Sequence, residues 1–438
     1  MIPLPTRRWL WIAAGLAIVA PLALVWPGAL AALVVLDLLW VGAFWLDWSL
    51  SPDAQEISVT REAPAAFSVG RSFPVRYRWS RSNAAPFFAL VREELPAPLV
   101  EGTSSVRNLR VAPEGITETI IIHPTRRGRG SAGALSLRLG GPLGLAWSQG
   151  RMQRPWTATV FPDLSAVALH ALPTQSARRR EAGLRNVRRL GEGRVFETLR
   201  DWVPGDDVRS IDWKATARRG KTMARQYEDE RRQQVLIVID AGRMLTPEVH
   251  GRPRLESAID AALQLAWTAI EGDDNVGLLV FADTIQHWLP PRRGKRALQG
   301  ILEALATVEG KLVEPDYPAA FAHLALRNRK RALTVLFTDV IDRTASDALL
   351  AQAGTLRPRH LPLAVTFRNP ELEALALRPP ERVEEAYERA AAEELLVSRA
   401  EALAVVRRRG VLVLDVLPDG AARAVVERYR QLKRRGML

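Results

Sequence analysis

Two long apolar stretches near the amino end constrain the fold more than any other feature of the chain. Residues 9–26 contain no charged residue in 18 positions, and residues 29–46 contain only Asp37. As a helix rising about 1.5 Å per residue, each stretch reaches roughly 27 Å, close to the roughly 30 Å hydrocarbon core of a bilayer. The pattern predicts a transmembrane helical hairpin over residues 1–50.

The basic residues around these stretches predict the orientation of the hairpin. Arg7 and Arg8 precede the first stretch, and most of the basic residues follow the second. Because the cytoplasmic flanks of membrane helices carry an excess of Lys and Arg, both ends are predicted to lie in the cytoplasm. Pro27 and Gly28 are predicted to form the turn between two spans of the inner (plasma) membrane.

Two other interpretations of the amino end stay open. Thr6-Arg7-Arg8 is similar to a twin-arginine export signal, and Ala29-Leu30-Ala31 is similar to a signal-peptidase site. We favour the hairpin, since a cleaved signal would not be followed by a second apolar stretch of membrane length. Asp37 is expected to face another helix or a second copy of the chain, because an ionisable side chain in a bilayer is costly.

Short alternating segments fill residues 51–165. In residues 73–80, aromatic and aliphatic side chains alternate with arginine, serine and proline, which is the period of a strand with one buried face. Eight such strands with frequent turn residues predict an all-β sandwich of the immunoglobulin-like type. The other seven predicted strands are residues 56–61, 87–93, 107–111, 118–123, 133–139, 145–151 and 156–161.

Residues 166–232 combine a basic linker with a segment of dense mixed charge. The arginine-rich stretch 176–194 contains few large apolar residues and is predicted to be a solvated linker. Beyond it, a helix is predicted from residue 208 to about residue 218, capped by Asp206 or Asp207 and ended by Gly220.

Charges of both signs surround tryptophans on this second segment, which indicates a buried or interfacial ion-pair network. Each carboxylate has an arginine or lysine close by in sequence, and a paired carboxylate is a poor general base because its pKa is lowered. We therefore predict an interaction motif and no catalytic residue. The motif consists of Asp206, Asp207, Arg209, Asp212, Trp213, Lys214, Arg218 and Arg219.

Apolar strands alternate with longer helices through residues 233–438, which predicts a doubly wound α/β domain with a mainly parallel sheet. Asp240 and Asp339 end two of the most apolar strands, at the edge where such sheets carry their functional groups. The predicted strands are residues 235–240, 276–282, 331–338, 361–367 and 411–416. The predicted helices are residues 254–271, 294–308, 318–329, 345–356, 383–409 and 420–435.

The block over residues 196–244, together with Pro142-Leu143-Gly144-Leu145 and Val160-Phe161-Pro162, resembles the bacterial DUF58 proteins. The resemblance extends through the apolar stretches, the β-domain and the α/β domain. It implies a von Willebrand factor A-like α/β domain on a membrane-anchored protein. It also implies action beside a MoxR-type AAA+ ATPase, in the assembly or activation of a client complex.

The von Willebrand A resemblance implies a test for a metal site. Such a site takes Asp-x-Ser-x-Ser after the first strand, a later threonine and a further aspartate as oxygen ligands. Here the first strand is followed by Gly242 and Met244 in place of the serines, with Arg243 between them. We predict no resident cofactor at Asp240 and Asp339, although two carboxylates with water could hold Mg²⁺ weakly. The other interpretation is that Arg243 replaces the metal by pairing with Asp240 or Asp339.

Composition narrows the function classes. The chain has no cysteine, which excludes thiolate catalysis, cysteine zinc sites and disulfides. The net charge of +13 comes from 61 basic residues of which six are lysine, so arginine-rich composition accounts for it and nucleic acid is not the expected partner.

We therefore predict a membrane-anchored scaffold or adaptor without enzyme activity. Its expected partners are the bilayer, a MoxR-type AAA+ ATPase and a client protein. Two alternatives stay open: a binder of anionic lipid or nucleic acid through the arginine-rich surface, and a metal-dependent hydrolase built on Asp206, Asp207, Asp240 and Asp339.

Overall fold

The computed structural model divides the chain into two compact units, Met1–Phe161 and Pro162–Leu438. It describes residues 3–21, 27–81, 86–99, 106–163, 195–203, 207–228, 233–340, 354–356 and 359–438. The predicted linker at 176–194 lies outside these ranges. Each unit is described by itself below.

The first unit begins with two apolar helices, α1 (Arg7–Val19) and α2 (Pro27–Ser49). The turn predicted at Pro27 and Gly28 is wrong, because both residues lie in the first turn of α2. A proline is favoured there, since its missing N–H has no partner to lose at a helix start.

One helical stretch in the described residues, Leu30–Glu56, is long and apolar enough to cross a membrane. Helix α1 has 13 residues, which reach only about 20 Å at about 1.5 Å each. The rest of the first predicted span includes residues 22–26, which lie outside the described ranges. The described residues thus include one apolar helix suited to be a membrane span or a signal sequence.

One loop of the β-domain, residues 141–145, contacts both the start of α1 and the end of α2. At the start of α1, Thr6 donates its hydroxyl to the Gly144 carbonyl at 2.8 Å and its N–H to the Leu145 carbonyl at 3.0 Å. At the end of α2, the fully buried Asp47 accepts N–H groups from Leu143, Leu145 and Ala146 at 2.6, 2.7 and 2.8 Å. The start of α1 and the end of α2 therefore lie at the same end of the helix pair.

Two sheets form the β-domain around a shared apolar core. The larger sheet has the order β1-β9-β8-β5-β6, with β3 also beside β9, and the smaller has the order β2-β4-β7. Val75, Tyr77 and Trp79 from the smaller sheet pack in one cluster with Leu137 and Val160 from the larger. The strands are β1 (Pro3–Pro5), β2 (Ile57–Glu62), β3 (Phe67–Ser68), β4 (Phe73–Arg81), β5 (Phe87–Glu93), β6 (Arg107–Val111), β7 (Ile116–Ile122), β8 (Gly128–Gly140) and β9 (Ala146–Phe161).

The strands predicted at 145–151 and 156–161 are one continuous strand, β9. Pro155 lies inside this strand, although a proline has no N–H to donate to a ladder. The pairing of β8 with β9 instead shifts register at this point. Gly133 makes the shift possible with a φ of +155°, and a Cβ there would lie 2.5 Å from the Arg154 carbonyl oxygen.

A small antiparallel ribbon begins the described part of the second unit, with β10 (Val195–Asp201) paired to β11 (Met223–Glu228). Between its strands lie a short 3₁₀ turn at Val208–Ser210 and helix α3 (Trp213–Arg219). The single helix predicted from residue 208 is wrong. Asp212 caps α3 by accepting the Ala215 N–H at 3.0 Å, and Gly220 ends it with a φ of +66°, as predicted.

The α/β domain is built on a six-stranded sheet in the order β16-β15-β12-β17-β18-β19, parallel except for β16 at one edge. Side chains on one face of β12 pack with helices α4 (Arg254–Glu271), α5 (Gly294–Ala306) and α9 (Ala421–Arg434). Those on the other face pack with α6 (Tyr317–Arg327) and α8 (Val383–Arg408). The predicted mainly parallel, doubly covered sheet is confirmed. The strands are β12 (Gln234–Asp240), β13 (Glu248–Val249), β14 (Arg252–Pro253), β15 (Asn275–Phe281), β16 (Ile285–Arg292), β17 (Leu333–Phe337), β18 (Leu361–Phe367) and β19 (Leu412–Val416).

Four elements of this domain were missing from the prediction, namely the short strands β13 and β14, the antiparallel strand β16 and helix α7. The helix predicted at 345–356 lies mostly outside the described residues. The described helices are α4 (Arg254–Glu271), α5 (Gly294–Ala306), α6 (Tyr317–Arg327), α7 (Pro370–Leu377), α8 (Val383–Arg408) and α9 (Ala421–Arg434).

Candidate functional site

The strand order of the α/β sheet reverses between β12 and β17, which pair in parallel. In open α/β sheets, ligands bind outside the carboxyl ends of the strands at such a switch point. Asp240 is the last residue of β12, and Asp339 follows β17 by two residues. Both side chains are fully buried, and both lie at the carboxyl edge of the sheet, as predicted.

Asp240 is held by three hydrogen-bond donors. It accepts the Tyr317 hydroxyl at 2.6 Å, the Thr338 hydroxyl at 2.8 Å and the Gly242 N–H at 2.8 Å. Burial raises the pKa of the Asp240 carboxyl above its ordinary value, and these hydrogen bonds oppose the increase. Burial likewise raises the pKa of Tyr317 well above its ordinary value. Tyr317 therefore remains a hydrogen-bond donor at neutral pH.

Asp339 lies between two arginines from distant parts of the chain. Arg254, the first residue of α4, pairs with its Oδ2, and Nη1 of Arg399, from the middle of α8, lies 2.5 Å from its Oδ1. Burial raises the pKa of the Asp339 carboxyl, and the guanidiniums of Arg399 and Arg254 oppose the increase. Arg399 also reaches Asp415 Oδ1 at 2.7 Å. We call Arg254, Asp339, Arg399 and Asp415 the edge network.

The edge network occupies the place where the sequence suggested a metal or Arg243. Arg243 Nε instead lies 2.6 Å from Glu314 Oε1, so the pairing predicted for Arg243 is made by Arg254 and Arg399. Gly242, which stands where the metal-site pattern has a serine, donates its N–H to Asp240 and offers no side-chain oxygen. No group of three or more His, Asp or Glu residues converges as a possible metal site within the described ranges.

Sequence reasoning missed the residues that complete the site, namely Arg254, Tyr317, Thr338 and Arg399. One signal was available for Arg254, because a cation in the first turn of a helix opposes the helix dipole and calls for a compensating partner. Arg399 stands between leucines on an otherwise apolar side of α8, which gave a second signal. Tyr317 is the first residue of α6, and nothing in the local sequence connects it with Asp240.

The predicted interaction motif lies on the ribbon of the second unit. Its described members, apart from the partly buried Asp212, are largely exposed, and Trp213 is 68% exposed. Of the two alternatives, a buried or an interfacial ion-pair network, the exposure of Trp213 contradicts the buried one. Asp206 and the side chain of Arg209 lie outside the description. The role of the motif in binding stays a prediction.

We expect the thermal unfolding midpoint of the full chain to be the same with millimolar Mg²⁺ and with chelator. A ligand that binds only the native state must raise the midpoint, whereas Asp240 and Asp339 already have their donors. Differential scanning fluorimetry in detergent is the measurement. A saturable rise with Mg²⁺ that Asp240→Ala abolishes would contradict this prediction.

A family model matches part of the second unit. Residues 198–414 match the family model described as "Protein of unknown function DUF58". Over 153 residues the chain is 26% identical to the uncharacterized proteins Rv1480 of Mycobacterium tuberculosis (strain ATCC 25618 / H37Rv) and Mb1516 of Mycobacterium bovis. The match covers 34% of this chain and 46% of each relative, so the chain spans about half the length of these curated proteins.

Two solved structures resemble smaller parts of the chain. The PKD domain of an M14-like peptidase from Thermoplasmatales archaeon SCGC AB-540-F20 is 11% identical, with a TM-score of 0.15, over 24% of this chain and 93% of that one. E. coli alpha-2-macroglobulin is 18% identical, with a TM-score of 0.18, over 24% of this chain and 7% of that one. Scores this low carry no argument about fold or function. Residues 198–414, which span most of the ribbon and of the α/β sheet, are thus similar to DUF58, a protein family of unknown function.

Proposed function

We propose that this protein is a membrane-anchored adaptor that binds other proteins through its DUF58 domain and has no enzyme activity of its own. The anchor is the helix pair α1 and α2. The stretch Leu30–Glu56, which contains most of α2, has the length and apolar composition of a membrane span. The carboxylates at the switch point support a role other than metal-assisted chemistry, because their oxygens are engaged by protein donors.

The anchor has two spans in this proposal, with the β-domain and the DUF58 domain both in the cytoplasm. The support is the loop at 141–145, which holds Thr6 before α1 and Asp47 near the end of α2. A helix pair whose two ends meet at one loop returns the chain to the side from which it started. Arg7 and Arg8 beside that end assign it to the cytoplasm by the positive-inside rule.

The α/β domain serves as a von Willebrand A-like docking domain that works without an ion. Support comes from the strand order and from the position of Asp240 and Asp339 at the switch point. The guanidiniums of Arg254 and Arg399 supply beside Asp339 the positive charge that a divalent cation supplies in an adhesion site.

The exposure of Trp213 is the main support for a role in protein binding. Tryptophan is enriched at the energetic centres of protein interfaces, and an indole that is 68% exposed contributes little to the fold that carries it. Lys214, Arg218 and Arg219 are exposed on the same short helix. We propose a MoxR-type AAA+ ATPase, or the client on which it acts, as the partner of this surface.

Trp213→Ala tests this proposal, with Tyr387→Ala as the matched control because Tyr387 is an exposed aromatic (75%) on α8. We expect both variants to keep the wild-type melting temperature, since exposed substitutions change stability by about 0.5 kcal/mol or less. We expect Trp213→Ala alone to weaken co-purification of the co-expressed ATPase by about thirtyfold, as for an interface hot spot of about 2 kcal/mol.

The alternative is that the motif makes an internal contact, which joins the linker to the α/β sheet, and binds no partner. In that case Trp213→Ala would lower the melting temperature and leave capture of the ATPase unchanged. Asp212 is kept out of the test, because it caps α3 and its loss would cost about 1 kcal/mol in either model. A variant that melts normally and captures the ATPase like the wild type would refute the proposed binding surface.

A further inference from the structure

A pocket of about 280 Å³ opens beside the edge network, between α7, α8 and the ends of β18 and β19. One part of its wall is apolar, formed by Leu372, Leu395, Leu396 and Leu403. The rest is charged. Ligand pockets for drug-sized molecules begin at about 300 Å³, so this volume suits one or two side chains.

Four arginines and three acidic residues line the pocket. Three of the arginines pair with these acids, and one has no acidic partner among the described residues. Asp339 and Asp415 are paired within the edge network, and Glu373 accepts two hydrogen bonds from Arg368 at 2.7 and 2.6 Å. Arg407, at the end of α8, pairs with no acid in the described part of the chain. The pocket therefore presents a net positive charge beside an apolar wall.

Arg254 adds a second, independent feature to the same wall. Its side chain is only 9% exposed. Its Nη1 pairs with Asp339, while its Nε is buried and finds no acceptor among the described residues. A buried donor without an acceptor costs about 1 to 3 kcal/mol. Arg254, which lines the pocket, thus combines a buried positive charge with one donor that has no acceptor among the described residues.

We propose that this pocket binds a carboxylate side chain of a partner protein, with a neighbouring aliphatic side chain of that partner lying against the leucines. This binding proposal rests on the proposed adaptor function and specifies which chemical group of the partner protein the α/β domain would bind. Arg407 meets the carboxylate at the rim, since guanidinium and carboxylate match in charge and planar geometry. A phosphate dianion suits the site less well, because three carboxylates and four leucines line it.

The test uses the full chain in detergent and two capped peptides as probes, acetyl-Leu-Glu-Leu-amide and acetyl-Leu-Gln-Leu-amide. The peptides differ only in the negative charge. We expect the Glu peptide to raise the unfolding midpoint saturably, and the Gln peptide to have no effect at the same concentrations. Arg407→Gln should raise the half-saturating concentration of the Glu peptide about tenfold, as expected for losing one charge-assisted hydrogen bond.

Arg408→Gln is the matched control, because Arg408 is the next residue on α8, is exposed and does not line the pocket. It should change the half-saturating concentration of the Glu peptide by less than about twofold, because an exposed charge outside the pocket is screened by salt and solvent. Equal responses to the two peptides, or equal effects of the two arginine variants, would overturn the proposal. So would inorganic phosphate binding as tightly as the Glu peptide, which would indicate a general anion site.

A complete lack of peptide binding would also overturn this pocket assignment, but it would leave the adaptor proposal intact. The adaptor proposal depends on Trp213 and on capture of the ATPase, whereas the pocket is tested by Arg407 and the peptides. The two failures are therefore distinguishable.

Discussion

Asp339→Ala will destabilise the α/β domain by about 3 to 5 kcal/mol, the usual cost of removing one partner from a buried ion pair. The reason is that Arg254 and Arg399 remain buried and charged, with 9% and 13% of their side chains exposed, after their shared carboxylate is gone. Chemical denaturation of the full chain in detergent, followed by tryptophan fluorescence and circular dichroism, measures the change. The loss should be the same with Mg²⁺ and with chelator.

Asp415→Ala provides the matched control for this prediction. Asp415 pairs with Arg399 as well, but its side chain is 24% exposed and Arg399 keeps Asp339 in that variant. We expect a loss of about 1 to 2 kcal/mol, because water can replace part of the missing interaction. If Asp339→Ala does not fold, Asp339→Asn retains the shape and should fall between the two. Equal stability of Asp339→Ala and the wild type would show that the edge network does not hold the sheet edge together.

Much of the fold was predictable because apolar periodicity reports burial directly. Strands β5, β6 and β18 have the predicted bounds, since each is a short alternating or apolar run between polar residues. Helix α4 likewise has its predicted bounds. Prediction failed at Pro155, because a proline is compatible either with a break between two strands or with a register shift inside one strand. Pro155 stands inside a long strand because Gly133 absorbs the register shift across from it.

The candidate site was predictable only in part. Asp240 and Asp339 could be placed because each follows an apolar strand, and strand order then brings them to one edge. The arginines that pair with Asp339 come 85 residues before it and 60 residues after it, and nothing in local sequence connects these positions. Long-range ion pairs depend on how helices pack over the sheet, which periodicity does not encode.

Asp47→Ala will free the loop at 141–145 from the end of α2, which is the largest local change that we expect in the first unit. The carboxylate accepts three backbone N–H groups while fully buried, and hydrogen bonds to a charged group contribute about 1.5 to 3 kcal/mol each. Even with incomplete additivity, a local loss of roughly 3 kcal/mol would raise the exchange rates of the freed amides by more than about a hundredfold. Hydrogen exchange of Leu143, Leu145 and Ala146 in detergent measures it.

Asp53→Ala is the matched control for Asp47→Ala, since Asp53 is a nearby acid that accepts one hydrogen bond, from the Gln55 N–H at 3.1 Å. We expect that variant to leave the exchange of the 141–145 loop unchanged. Gly141→Ala should reproduce the effect of Asp47→Ala from the other side, because a Cβ at residue 141 would lie 2.3 Å from Asp47 Oδ1 and 2.4 Å from its carbonyl oxygen. Wild-type protection of the three amides in Asp47→Ala would mean that the loop keeps its shape without the carboxylate. The connection between the helix pair and the β-domain would then depend more on Thr6 and on the pairing of β1 with β9.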